Sequence, residues 1–236
     1  MSIQQTTAPA ASTSAPASPA TTGFRDPAAL TRWLKIFLCI SIAITGLSIV
    51  SGLLELKLLN DMQAGTTLAP GAADSNDLRQ QIIAGGRFIS FIVTVVIFAI
   101  WIYRANYNAR QLGATDMQFS PGWAVGWYFI PIANLWKPYQ AMREIWQASA
   151  MPGSWQQQPR GPILPLWWTF FLLSNFLGNA AFRLQLGAHT LSEHIMAGSV
   201  GVVTDAVDVV STAIALVLVT QIFRMQMVHR AADAFT

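Results

Sequence analysis

Apolar residues in this chain come in long unbroken blocks, without the alternation of a half-buried strand or the one-sided stripe of a soluble helix. Four blocks are long enough to cross a bilayer as helices: residues 33–54, 87–103, 163–186 and 200–223. A hydrocarbon core of about 30 Å calls for about 20 helical residues, and about 17 suffice. The second block sits at that lower limit. The pattern therefore predicts a helix that runs on past Tyr103 through RANYNARQL, which holds no breaker before Gly113.

A fifth stretch, 122–136, is apolar but punctuated. Ser120-Pro121 reads as a helix start with proline at the first helical position. Pro131 removes a backbone donor and disfavours a straight helix, and Asn134 and Lys137-Pro138 close the far end. The uninterrupted piece, 121–130, would rise only about 15 Å as a helix, half of a bilayer. The expected fold is all-α: a polytopic helical membrane protein with four transmembrane helices and one broken re-entrant or interfacial segment, with five spans as the alternative. Between the blocks, 55–86 is polar, carries Asp61, Asp74 and Asp77 with Gly and Pro, and is expected to be an irregular loop. Residues 187–198 form a shorter expected loop. No internal repeat stands out.

Charge placement chooses between the two topologies. Four crossings and a non-crossing 122–136 put ten Lys and Arg on one side and four (Lys57, Arg79, Arg87 and Arg183) on the other, whereas a fifth crossing makes the split six against eight. The positive-inside rule favours the first arrangement, with both termini in the cytoplasm. Trp33, Trp101, Tyr103, Trp167 and Trp168 then fall at the inner interface, where amphipathic rings prefer to lie. Residues 1–28 read as a disordered cytoplasmic tail, 29–230 as the membrane domain and 231–236 as a short C-terminal tail. The first 23 residues hold no charged side chain and lack the basic start and apolar core of a signal peptide. Overall composition agrees: 53% of residues are hydrophobic and 11% charged, against about 25% charged in soluble domains. A net charge of +3 is no nucleic-acid footprint, and the single cysteine, Cys39, excludes an internal disulfide and a cysteine-cluster metal site.

Three groups of residues are candidates for chemistry. Trp101, Arg104 and Asn108 share one face of the extended second helix. They are expected to point at the broken segment, whose Asn134 and Lys137 return to the same interface. Arg offers bidentate donors to a phosphate, so an anionic lipid headgroup is one reading. The other is that Arg104 and Asn108 tie down irregular backbone, which needs partners inside a membrane protein. Second, Asp205 and Asp208 lie one and two turns inside the last span, with Arg183 at similar depth on the span before. Intramembrane charges are costly and face a partner or a wet cavity. The readings are a proton or cation site, or an ion pair with Arg183. One Arg cannot neutralise two ionised Asp, so either Arg87 helps or one carboxyl is protonated. Third, His189, Glu193 and His194 offer metal-type donors, but at no H-E-x-x-H spacing, and read as loop residues rather than a metal site.

There is no G-x-S-x-G, P-loop, dinucleotide fingerprint or haem-attachment motif, so neither a cofactor nor an enzyme mechanism is indicated. The stretch from Trp101 to Trp146 does carry a long punctuated signature: W-x-x-R-x-x-x-N (Trp101, Arg104, Asn108), Leu112-Gly113, S-P-x-W-A-V (Ser120, Pro121, Trp123), F-I-P-I-x-N-L-W-K-P-Y (Pro131, Asn134, Trp136, Lys137, Pro138) and Glu144-Ile145-Trp146. It resembles the bacterial membrane family known as domain of unknown function 4328, over about a fifth of the chain. The resemblance implies a multi-span membrane protein and no particular activity, substrate or cofactor. The leading expectation is a non-enzymatic membrane module that binds an anionic lipid or a membrane-protein partner through 101–146. The alternative is a small transporter or channel using Asp205 and Asp208. Four spans are few for a lone transporter, so that alternative brings in a homo-oligomer.

Overall fold

A segment that leaves water must satisfy its own backbone donors and acceptors, and a helix does so locally. The computed structural model describes residues 23–233, and among them there are helices and connections but no strand. The long helices are α1 (Ala28–Gln63), α2 (Ala72–Gln111), α5 (Ile163–Gly187) and α6 (Leu191–Asp233), with the short α3 (Pro121–Gly126) and α4 (Lys137–Ala150) between α2 and α5. α1, α2 and α6 are long and apolar enough to cross a membrane. α5, at 25 residues, is long enough by rise per residue, but Asn175, Asn179 and the Trp167-Trp168 pair make it less apolar.

α2 continues past Tyr103 to Gln111, as the pattern predicts. Gly113, with φ +96°, then lets the chain reverse. Its N–H reaches the Arg110 carbonyl at 3.1 Å and the Ala114 N–H reaches Ala109 at 3.2 Å, which closes the helix end. The irregular loop expected over 55–86 is corrected: α1 runs to Gln63 and α2 starts at Ala72, leaving only 64–71 as connection. The polar side chains that suggested a loop are used along and between two helices. Lys57 pairs with Asp61 one turn on at 2.7 Å, Gln80 donates to Glu55 at 2.8 Å, and Arg79 donates to Ser51 at 2.8 Å. The loop expected over 187–198 shrinks likewise, because α6 begins at Leu191. Thr190 and Glu193 form a reciprocal cap there. The Glu193 carboxylate accepts from the N–H of Thr190 at 2.9 Å and of His189 at 2.8 Å, and Thr190 Oγ1 accepts from Glu193 N–H at 3.3 Å.

The long helices stand in a row in the order α2, α1, α6, α5. α1 and α6 approach closely at small residues. A β-carbon on Gly52 would come 2.8 Å from Val202, and one on Gly198 would come 3.1 Å from Leu56. α3, α4 and the turns around them form a cap at one end of the row. That end also holds the start of α1, the end of α2 and the end of α6. Gln226 of α6 donates to the Ala105 carbonyl of α2 at 2.8 Å and to Ser149 of α4 at 2.9 Å. The largest core gathers there too, with Trp101, Ile102, Met142, Ile145, Leu164, Trp167, Leu218 and Ile222. Elsewhere the long helices turn Leu47, Val50, Ile89, Val96, Val203 and Val217 outward, as lipid-facing residues do. Of the expected interfacial aromatics, Trp33 and Tyr103 are exposed, but Trp101, Trp167 and Trp168 are buried in this core.

The expected tail boundary also shifts. Residues 1–22 and 234–236 lie outside the described residues. Residues 24–27, however, lie against α2, with Arg25 over the Tyr107 ring at 4.6 Å.

Candidate functional site

Two places hold the sequence candidates: the cap, and a crevice among the long helices. In the cap, Trp101, Arg104 and Asn108 do share one face, but that face meets the chain entering α1 rather than the broken segment, which corrects the expectation. Trp101 Nε1 donates to Thr31 Oγ1 at 3.1 Å and its ring stacks on Phe98. Arg104 donates to the Asp26 carbonyl at 3.3 Å. The fully buried Asn108 holds the Arg25 backbone from both sides, accepting from its N–H at 3.1 Å and donating to its carbonyl at 2.8 Å. These three side chains fix how the N-terminal segment joins the bundle.

The loop between α2 and α3 is clamped by residues that the spacing argument did not single out. Asn106 donates to the Phe119 carbonyl at 3.0 Å, and Arg110 donates to the carbonyls of Met117 at 3.0 Å and Phe119 at 2.9 Å. From α4, the Glu144 carboxylate accepts from the N–H of Gln118 at 2.8 Å and of Phe119 at 3.1 Å. Burial pushes this carboxyl above the ordinary carboxylate range, while the two backbone donors and the guanidiniums of Arg110 and Arg143 pull it down without cancelling that shift. Asn106 and Arg110 stand one helical turn apart, and Glu144 opens the E-I-W part of the signature, so the signal was present as spacing.

Clamping this loop sets up the broken segment. Ser120 caps α3, its Oγ accepting from Trp123 N–H at 3.4 Å, and Pro121 takes the first helical position as predicted. The helix gives way to a turn at Trp127–Phe129. Past Pro131, Ile132 holds φ +67°, a left-handed conformation that a β-branched residue adopts only under strain. A second turn, Ala133–Leu135, leads to Pro138 in the first turn of α4. Trp168 of α5 pins this stretch by donating to the Leu135 carbonyl at 3.1 Å. The segment turns a row of apolar side chains outward: Trp123, Phe129, Ile132, Leu135 and Trp136.

Beside that row is a cleft of about 340 Å³ lined by Gln118, Phe119, Ser120, Trp123, Trp127 and Lys137. The Lys137 ammonium sits 5.6 Å from the Phe119 and Trp127 ring centres. Trp127 Nε1 is buried without a hydrogen-bond partner, as is Asn134 Oδ1. Of the four residues expected to converge on one anion, only Lys137 lines this cleft.

In the crevice, Arg183 is not the partner of Asp205, which corrects the second expectation. It is exposed on α5 and donates to Asn179, one turn back on its own helix, at 3.4 Å. Arg87 of α2 reaches Asp205 of α6 at 2.5 Å and also donates to Ser48 of α1 at 2.8 Å. Asp208, one turn deeper, accepts from Ser174 of α5 at 3.0 Å.

Three helices long and apolar enough to cross a membrane, with a polar-clamped cap at one end, are the features of a helical membrane protein. The chain belongs to the family described as Domain of unknown function (DUF4328), whose family model matches residues 64–224, about two thirds of the chain. The match takes in α2, the whole cap, α5 and most of α6. No curated protein and no solved structure matches the chain.

Proposed function

We propose that the protein is a four-span module of the bacterial inner membrane. In this reading both termini and the cap are cytoplasmic, and the cap binds the phosphate of an anionic lipid in the cleft at Lys137. One observation carries the reading: Lys137 and Trp127, whose indole N–H is buried without a partner, line one cleft beside an outward apolar row. Trp123, Phe129, Ile132, Leu135 and Trp136 suit the acyl boundary, and Lys137 and Trp127 Nε1 suit a phosphate oxygen. The four-span count is supported by the cap's contacts with the ends of α2 and α6 and with the start of α5, and by the ten-to-four charge split.

The test is retention of labelled phosphatidylglycerol by the purified full-length protein in neutral detergent. Lys137→Ala is expected to weaken retention about fivefold, from roughly 1 kcal/mol per basic residue at an anionic surface. Arg104→Ala is expected to leave it unchanged, because that guanidinium is committed to the Asp26 carbonyl. Equal retention by wild type and Lys137→Ala would remove the lipid reading.

Topology is checked separately. A cysteine at the exposed Gln157, in a Cys39→Ser background, is expected to react with a membrane-impermeant thiol reagent only when the cytoplasmic face is opened. Labelling in intact cells would overturn the orientation.

A further inference from the structure

A cavity larger than the cap cleft lies among the long helices. α2 and α5, the outer helices of the row, line a gap together with α1 and α6. The gap holds about 640 Å³ and is lined from all four helices. Pockets of about 300–1,000 Å³ accommodate drug-sized ligands. Its walls combine two chemistries. Phe88 and Phe91 on α2 and Phe171 and Phe182 on α5 present aromatic surface, and a band of hydroxyls and amides runs along the α5 and α6 side with Asp208 among them.

Charge decides what such a crevice takes. Arg87 also lines it, but its charge is matched by Asp205 at 2.5 Å. Asp208 has a hydroxyl donor, Ser174, and among the described residues no Lys or Arg stands within ion-pair distance of it. Counted by formal charge, these three side chains leave one negative charge, in a part of the protein where charge is costly unless matched. Aromatic faces add attraction for a cation and none for an anion.

We propose that the crevice is a binding site for a lipophilic monocation, with Asp208 as its counter-charge and the phenylalanines of α2 and α5 as its walls. No residue of α3 or α4 lines the crevice. The proposal does not rest on the lipid reading of the cap.

The experiment is equilibrium binding of tetraphenylphosphonium and of tetraphenylborate, ions of like shape and opposite charge, to the full-length protein in nanodiscs of zwitterionic lipid, measured over empty discs. The phosphonium is expected to bind in excess of the borate. Asp208→Asn is expected to weaken phosphonium binding by at least about tenfold, while Asp208→Glu, which restores the charge, and Lys137→Ala, which alters only the cap, keep it. Equal binding of the two ions would overturn the proposal and mark the crevice as a seat for acyl chains. Undiminished phosphonium binding by a folded Asp208→Asn protein would overturn it as well.

Discussion

Asp205→Ala is expected to destabilise the helical bundle by about 3 kcal/mol, the lower end of the cost of removing one partner from a buried ion pair, because the Arg87 side chain is 35% exposed. The orphaned guanidinium of Arg87 would keep only its 2.8 Å bond to Ser48. Replacing both partners with leucine is expected to recover most of the loss, since paired desolvation disappears together with the attraction. The comparison is made by unfolding the purified proteins in mixed micelles and following helix content. Arg183→Ala serves as the control and is expected to change stability by no more than about 0.5 kcal/mol, as surface substitutions do. If the double variant loses as much as Asp205→Ala, the loss does not come from the orphaned guanidinium. A large loss for Arg183→Ala would return the pairing to the neighbour suggested by equal depth along the chain.

That contrast shows what the chain discloses and what it hides. Depth could be counted along the sequence, because helical rise is fixed, and counting put Arg183 and Arg87 both within reach of Asp205. Lateral order could not be counted. The row α2, α1, α6, α5 sets Arg87 across a single helix from Asp205, while Arg183 turns outward. The same limit applies to Trp101, Arg104 and Asn108. Their shared face followed from spacing, but its target depended on where the chain before α1 lies. Features governed by local chemistry were legible: the extension of α2 to Gly113, the Ser120-Pro121 start of α3 and the break at Pro131. Polar composition does not by itself mark irregular structure in this chain. Residues 55–63 and 72–86 are helical because their polar groups find partners along and across two helices, and a list of residue types does not show pairing. Thr190-x-x-Glu193 has the spacing of a capping box and closes one, between the two histidines that read as loop residues.

Glu144→Ala is expected to be the most damaging single change in the cap, at about 3 kcal/mol. Glu144 is 3% exposed, and its two oxygens accept from Gln118 and Phe119 N–H. The Phe119 donor is buried, and leaving a buried donor unmet costs about 1–3 kcal/mol. The Gln118 donor lies nearer solvent and adds less. Arg110 loses a nearby counter-charge besides. The consequence reaches beyond stability, because Gln118, Phe119 and Ser120 line the cleft that holds Lys137. The variant is therefore expected to lose lipid retention along with cap order, read as faster amide exchange over residues 112–136 with exchange in α1 unchanged. Glu144→Gln keeps one acceptor and is expected to fall between wild type and Ala. The two variants also fix the sign of the pH dependence. Because burial raises the folded pKa of this carboxyl, its contribution to stability is fully present below the ordinary glutamate value and is lost as pH rises through the raised one. Wild type is thus expected to lose cap stability across that window, whereas Glu144→Gln, which has no proton to lose there, shows a flatter profile. A wild-type profile as flat as that of Glu144→Gln would mean that the carboxylate is already fully compensated by its donors and by Arg110, and that the clamp holds through charge rather than in spite of it.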